Sequence, residues 1–244
     1  MSRRDDSRKA TETLEEIEGV LDRAAGWVAA NPKPVLIVLG IVVGGAALVG
    51  GSQWWIERTK LWASGAVAEV TKEYFDAMGA TPGAVTVPEP ANPETARAAR
   101  EEYAAKFVEV AEAHAGSTAA VDAWIEAGNL REQLDDAEGA LAAWEKAAES
   151  APSGSSVRAL ALARLAAGYE GADRWADAAE AWEQAGNIER YPLRHEALAF
   201  AARANVEAGE TERAMALYDR IETDAPDFDL PPHLASQRDE LRPR

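Results

Sequence analysis

The sequence predicts an all-α protein with one N-terminal transmembrane helix followed by a solenoid of stacked helical hairpins. An Ala–aromatic–Pro pattern recurs three times, at Ala140–Trp144–Pro152, Ala178–Trp182–Pro192 and Ala214–Tyr218–Pro226. Successive alanines lie 38 and 36 residues apart, a period that is typical of stacked hairpins that bind other proteins. Residues 34–56 carry no charge. Alanine is abundant and β-branched runs are scarce outside that segment, which favours helix over strand.

Composition limits the classes of function that this chain can have. The 244 residues carry a net charge of −17 and include no cysteine. The absence of cysteine excludes disulfides, thiolate metal sites and cysteine nucleophiles. Residues 57–244 hold nearly all of the negative charge, with a net charge of −16, so nucleic acid and anionic lipid are poor partners. Two interpretations of the acidity remain open: a solvated surface, or a preference for basic partners.

Residues 1–33 are predicted to form a polar tail with one short amphipathic helix. Apolar residues recur at helical spacing from Thr11 until the Asn31–Pro32 pair ends the pattern. This helix either lies at the membrane surface as a docking element or simply leads into the transmembrane span.

Residues 34–56 are predicted to be the transmembrane helix, because an uncharged helix of this length crosses a hydrocarbon core of about 30 Å. Trp27 precedes the span and Trp54 and Trp55 end it, as interfacial anchors do. The region before the span has 33 residues, which is longer than usual for a signal peptide, and its charges are mixed. Both features favour an uncleaved anchor over a signal peptide.

One face of the span carries small residues, which allow another helix to approach closely. This predicted membrane docking face comprises Gly40, Gly44, Ala47 and Gly51. The alternative is that glycine is simply frequent in membrane helices. Basic residues do not decide the orientation of the span, since two precede it closely and three follow it: Arg23 and Lys33, then Arg58, Lys60 and Lys72.

The remaining chain is predicted to form a repeat domain over residues 57–228, followed by a tail at 229–244. An atypical first hairpin covers residues 57–115 and contains a proline-rich loop at 80–93, where four prolines exclude helix. The repeats are expected at about 118–152, 156–192 and 193–226.

These repeats resemble the tetratricopeptide pattern. The matching residues are Trp124, Gly128, Ala140, Trp144, Ala147 and Pro152, then Leu162, Leu165, Ala166, Tyr169, Trp175, Ala178, Trp182 and Ala185, then Leu198, Ala202, Ala214, Tyr218 and Pro226. The small residues at 128, 166 and 202 are expected to let the two helices of a hairpin approach, while Trp144, Trp182 and Tyr218 fill the space between hairpins. Arg131 and Asn205 depart from the pattern, since Tyr is usual at their position.

The first helix of each repeat is expected to line a concave face. By repeat register, the predicted groove comprises Ile125, Asn129, Glu132, Ala163, Ala167, Glu170 and Arg203. It would take an extended or helical segment of a partner protein. The alternative is that these positions are only solvent-exposed. The Lys/Asn set that grips a C-terminal carboxylate in chaperone-binding repeats is absent.

As a whole, the layout resembles the ancillary subunit of the bacterial SecYEG translocon. The local likeness runs from Trp27 to Lys60 and includes Ala-Ala-Asn-Pro-Lys at 29–33, the Gly/Ala/Val-rich span and the Trp54–Trp55 pair. The resemblance implies an inner-membrane protein with a cytosolic N-terminus and a periplasmic C-terminal domain. It also implies translocon subunits, periplasmic chaperones or secreted chains as partners. The alternative is a scaffold for envelope assembly that is unconnected with secretion.

No catalytic, cofactor-binding or metal-binding residues are predicted. His114, His195 and His233 fall in different helical units without ligand spacing. The sequence has no Gly-rich phosphate loop, Gly-x-Ser-x-Gly or His-Glu-x-x-His motif. We therefore expect no enzyme, no cofactor, no nucleic acid partner and no small-molecule substrate.

Overall fold

The structure is a computed structural model that describes residues 61–242. These residues belong to one compact unit, Thr59–Arg244. The predicted amphipathic helix, the span at 34–56 and the docking face of Gly40, Gly44, Ala47 and Gly51 lie outside the described residues. Among the helices that are described, none is both long and apolar enough to cross a membrane.

The described residues are helical with short connections. The helix α1 covers residues 61–77, and the remaining helices are α2 (Pro93–Ala113), α3 (Thr118–Glu132), α4 (Ala137–Ser150), α5 (Ser156–Gly171), α6 (Trp175–Gly186), α7 (Arg194–Glu207), α8 (Thr211–Asp224) and α9 (Pro232–Leu241). Each helix from α2 onward packs on the next one in the chain, and α3 also contacts α5. The hairpins α3–α4, α5–α6 and α7–α8 are therefore stacked side by side as a solenoid.

Local sequence accounts for where several helices begin. The side chains of Ser117, Asp136 and Ser155 each accept a hydrogen bond from a backbone N–H in the first turn of α3, α4 and α5, respectively. Asn92 caps α2 in the same way, and Pro93 follows as its first residue. Such caps satisfy N–H groups that have no partner inside the helix.

The three hairpins share one turn, so the period of the sequence is also a period of the backbone. Asp135, Asp173 and Gly209 occupy equivalent positions, and all three adopt left-handed φ angles of 61°, 57° and 82°. In each hairpin the following N–H donates to the carbonyl five residues earlier, at 2.8–3.0 Å. This geometry ends a helix and reverses the chain, and it favours Gly or Asp at the left-handed residue.

The pairing of small and large residues inside a hairpin is confirmed at Gly128 and Trp144. Only 2% of Trp144 is exposed, and its Nε1 donates to the carbonyl oxygen of Ile125 at 3.3 Å. A Cβ atom on Gly128 would lie 2.3 Å from this Nε1. Glycine at position 128 therefore makes room for the indole.

Trp182 packs between hairpins as expected, against apolar clusters that extend from α3 to α8, but it is only partly buried. Glycines at 128 and 168 flank Trp144, whereas the equivalent positions around Trp182 hold Ala166 and Ala204. Their methyl groups occupy the space that the two glycines leave open. The Trp182 indole accordingly lies nearer the surface, and its Nε1 donates to Glu170 at 2.8 Å rather than to a backbone carbonyl.

The segment predicted as a C-terminal tail contains the helix α9, which packs on α7 and α8. Leu234 is 1% exposed, and Tyr218, fully buried in α8, donates its hydroxyl to Gln237 at 3.0 Å. Arg238 donates to Glu222 at 3.1 Å. The helix α9 therefore covers the apolar side of the last hairpin, as a terminal cap does in repeat proteins.

Candidate protein-binding site

A cavity of about 730 Å³ lies on the first helices of the hairpins, and we call it the α3 cavity. Its lining comes from α1, α2, α3, α5 and the segment between α1 and α2: Val67, Thr71, Tyr74, Phe75, Val87, Glu89, Arg100, Phe107, Asp122, Glu126, Asn129, Leu130, Glu132, Gln133 and Arg164. Two residues of the predicted groove, Asn129 and Glu132, belong to this lining.

Two other residues of the predicted groove are buried in the packing between helices. Ile125 is 6% exposed and Ala163 is 9% exposed, and Ile125 packs with Ala159 and Leu162 of α5. These are equivalent repeat positions, and so is Ala199, which is fully buried. Their assignment to an open groove was wrong. The next residue in each of the first two repeats, Glu126 and Arg164, lines the cavity instead.

Glu170 and Arg203, also assigned to the groove, form an ion pair with each other. Their side chains are 17% and 30% exposed, respectively. The Arg203 guanidinium also lies 5.5 Å from the ring centroid of Phe200, which in turn packs on Trp182 at 5.0 Å. These contacts join α5, α6 and α7, so both charged side chains are engaged within the protein. Ala167, the remaining groove residue, is exposed on α5.

One cation of the α3 cavity is already neutralised. Arg100 of α2 pairs with Glu89 and donates to Gln133 Oε1 at 2.9 Å, and only 15% of its side chain is exposed. Arg100 thereby holds the segment before α2 against the C-terminal end of α3. Burial raises the pKa of the neighbouring Tyr74, and the positive charge of Arg100 opposes that shift.

Acidic side chains dominate the rest of the cavity. Asp122, Glu126 and Glu132 are exposed on α3, and within residues 61–242 the carboxylates of Asp122 and Glu132 have no hydrogen bond or ion pair. Glu126 accepts only a long bond of 3.5 Å from Asn129. The protein that surrounds Asp122 removes water from its carboxylate and raises its pKa. The lining therefore holds three carboxylates against one cation, Arg164, that is not already paired with Glu89.

The contribution of the first hairpin to the cavity is not predicted by the sequence. Tyr74, Glu89 and Arg100 lie outside the repeats, and no spacing in the sequence relates them to α3. The signal that was available is the pair Glu126 and Arg164, polar residues that stand 38 apart in two helices otherwise rich in alanine.

The histidines and carboxylates of residues 61–242 form no group of three or more that could hold a metal ion. The His195 ring packs on Phe228 at 5.8 Å between centroids, and burial lowers its pKa, with a further contribution from Arg194. The absence of a metal or cofactor remains a prediction for the whole chain.

The fold and the cavity together define a class: an α-solenoid of tetratricopeptide-like hairpins with a lined cavity on its first helices. The chain matches no protein-family model and no curated protein. Among solved structures, it is similar to a kinesin light chain-like protein of Podospora anserina with nearly identical TPR-like repeats, at 17% identity and a TM-score of 0.44 over 59% of this chain and 82% of that one. It is also similar to the MamA protein, at 15% identity and a TM-score of 0.36 over 72% of this chain and all of that one.

Proposed function

We propose that this chain is a protein-interaction scaffold that binds a segment of a partner protein in the α3 cavity. The observation that carries the proposal is the cavity itself. Three successive first helices, α1, α3 and α5, contribute to its lining, and so do apolar, amide and charged side chains. Solenoids use such surfaces for extended partners, and mixed linings of this kind suit peptide side chains and backbone together. The proposed role is binding without catalysis.

We further propose that residues 34–56 anchor the scaffold in a bacterial inner membrane, with the N-terminus cytosolic and the repeat domain periplasmic. The uncharged span and its flanking tryptophans support the anchor. The resemblance of residues 27–60 to the ancillary translocon subunit supports the orientation. Added protease should digest the repeat domain in spheroplasts. A domain that is protected until the membrane is broken would reverse the orientation.

The proposed partner is the Sec translocon, together with periplasmic chaperones or emerging chains. The alternative is an envelope-assembly scaffold that uses the same cavity for other proteins. Both predict protein partners, but only the first predicts translocon subunits.

Co-purification in mild detergent tests this proposal with two matched variants. Asn129→Trp fills the α3 cavity, whereas Ala142→Trp puts the same side chain on an exposed position of α4 in the same hairpin. We expect translocon subunits with the wild type and with Ala142→Trp, and their loss with Asn129→Trp. Other envelope proteins with the same dependence would favour the alternative. Partners that co-purify with Asn129→Trp as well as with the wild type would contradict binding in the cavity.

A further inference from the structure

The charge of the α3 cavity is unbalanced after its internal pairs are taken out. Glu89 and Arg100 neutralise each other. Asp122, Glu126 and Glu132 then share the lining with a single remaining cation, Arg164, whose guanidinium has no ion pair or hydrogen bond within the described residues. A positively charged ligand would therefore neutralise carboxylates that the protein itself leaves unpaired.

The spacing of these carboxylates suits a chain rather than a single ion. They stand four and ten residues apart on α3 from Asp122, which is about 6 and 15 Å along the helix axis. Side chains on one face of an extended peptide are about 6.5–7 Å apart. A peptide that lies along α3 would thus present alternate residues to Asp122 and Glu126, while Glu132 lies about 9 Å further along the helix axis. Among residues 61–242, no three histidines or carboxylates lie close enough together to hold a metal ion. This agrees with carboxylates that are spread along α3 rather than gathered around one point.

Apolar side chains of α1 and of the segment before α2 form another part of the cavity lining, which we call the apolar wall. Val67 and Phe75 of α1 are partly buried, and Val87 of the segment before α2 is 36% exposed. Tyr74 and Phe107, which are buried in the core, also line the cavity. An extended chain has two faces, so a peptide with charged residues towards α3 would turn its intervening side chains towards this wall.

From this arrangement we propose that the α3 cavity binds an extended basic peptide segment with alternating character. Its Lys or Arg side chains pair with Asp122, Glu126 and Glu132, and its intervening apolar side chains contact the wall of Val67, Phe75 and Val87. The proposal rests on the proposed function, since it names the chemistry of the segment that the scaffold would bind. The charge complementarity of the cavity selects this occupant over an acidic or neutral one.

The experiment measures the affinity of the 244-residue chain for labelled peptides by fluorescence anisotropy in nonionic detergent. The probe is fluorescein-Ser-Lys-Val-Lys-Val-Lys-Ser, and two matched probes replace every Lys by Gln or by Glu. We expect the Lys peptide to bind, the Gln peptide to bind at least about fivefold more weakly and the Glu peptide not to bind. Added salt should weaken the Lys peptide most, because its charge pairs are close to solvent.

Protein variants test the named carboxylates. Asp122→Asn combined with Glu126→Gln should weaken the Lys peptide at least about fivefold. The control, Glu212→Gln with Asp219→Asn, removes the same charge from exposed positions of α8 and should keep wild-type affinity. Arg164→Glu removes the competing cation and should tighten binding of the Lys peptide. This variant therefore tests the inference by a gain of affinity as well as by losses of affinity. Cooperative circular dichroism melts, with midpoints at or above that of the wild type, check that each variant folds.

Equal binding of the Lys and Gln peptides, or wild-type affinity in the Asp122/Glu126 variant, would overturn the inference. So would failure of the Lys peptide to bind. If that peptide fails while Asn129→Trp still abolishes co-purification, the inference falls and the proposed function stands. If the peptide binds as expected but no protein co-purifies, the proposed function falls and the inference about the cavity stands.

Discussion

The indole of Trp144 lies directly against Gly168 of the next hairpin. A Cβ atom at position 168 would lie 2.5 Å from Cζ3 and 2.9 Å from Cε3 of the ring. Since Trp144 also lies against Gly128 of its own hairpin, two glycines on different hairpins enclose one buried ring. This arrangement fixes how closely α3–α4 and α5–α6 stack.

We predict that Gly168→Ala destabilises the protein, although alanine is the better helix former. The added methyl group meets the buried ring, and overpacking of this kind costs about 1–3 kcal/mol. Gly171→Ala in the same helix is the control, because nothing lies within 4 Å of its Cβ position. It should leave stability unchanged or raise it. Urea unfolding followed by circular dichroism measures both, and equal midpoints would contradict the account of this packing.

The two tryptophans should respond differently to truncation. Trp144→Ala removes a fully buried ring and should lower the free energy of unfolding by about 3–5 kcal/mol. Trp182→Ala should cost less, about 1–3 kcal/mol, because that ring is partly exposed and leaves a smaller cavity. The comparison uses the same urea titration. A larger loss at Trp182 would mean that the hairpin α5–α6 is stacked more tightly than described.

Glu170 and Arg203 should show an energetic coupling. Their ion pair is mostly shielded from solvent, and Glu170 also accepts the bond from Trp182. Hydrogen bonds to charged groups contribute about 1.5–3 kcal/mol, so we expect Glu170→Gln to destabilise by roughly this amount. A double-mutant cycle with Arg203→Gln isolates the pair. Additive losses would show that the two side chains act independently.

Asp122 should make stability depend on pH. The side chain of Asp122 is exposed, but the surrounding protein removes part of the water from its carboxylate and so raises its pKa. Its charged form therefore destabilises the folded state at pH values above that pKa. The penalty disappears below the unfolded pKa of about 4, where both states are protonated. Asp122→Asn should therefore be more stable than the wild type near neutral pH and equal to it in acid. A difference that is the same at both pH values would exclude this carboxylate as the cause.

The predicted membrane docking face is tested by Gly44→Leu. A larger side chain would hold a neighbouring helix away, at a cost of about 1–2 kcal/mol, while insertion of the span stays intact. Membrane fractionation should find the variant in the membrane, and co-purification in mild detergent should find less of the membrane partner. An unchanged yield of that partner would refute the docking face.

The repeat period could be predicted from the sequence because it is set by local chemistry. Asp135, Asp173 and Gly209 take the same left-handed turn, and Gly128 and Trp144 pair as their sizes require. These contacts connect residues that are close in the chain or one repeat apart.

The side of each first helix that faces the cavity could not be predicted in the same way. In α3 and α5 alanine occurs on every side of the helix, so the sequence shows no distinct apolar stripe. The repeat register therefore predicts Ile125 and Ala163 in the groove, whereas both are buried in the structure. The ion pair of Glu89 and Arg100 joins segments outside the repeats, and only the folded chain brings it to the cavity.

Site-specific photocrosslinking tests the central claim most directly. An aliphatic diazirine amino acid of about the size of leucine, too small to fill the cavity as tryptophan does, replaces Asn129 in the α3 cavity or Ala142 on the exposed side of α4, and cells are irradiated before purification. The account predicts a discrete protein adduct from position 129 and none from position 142, with mass spectrometry placing the crosslink on a basic segment of the partner. No adduct from position 129, or the same adducts from both positions, would contradict a scaffold that binds its partner in the α3 cavity.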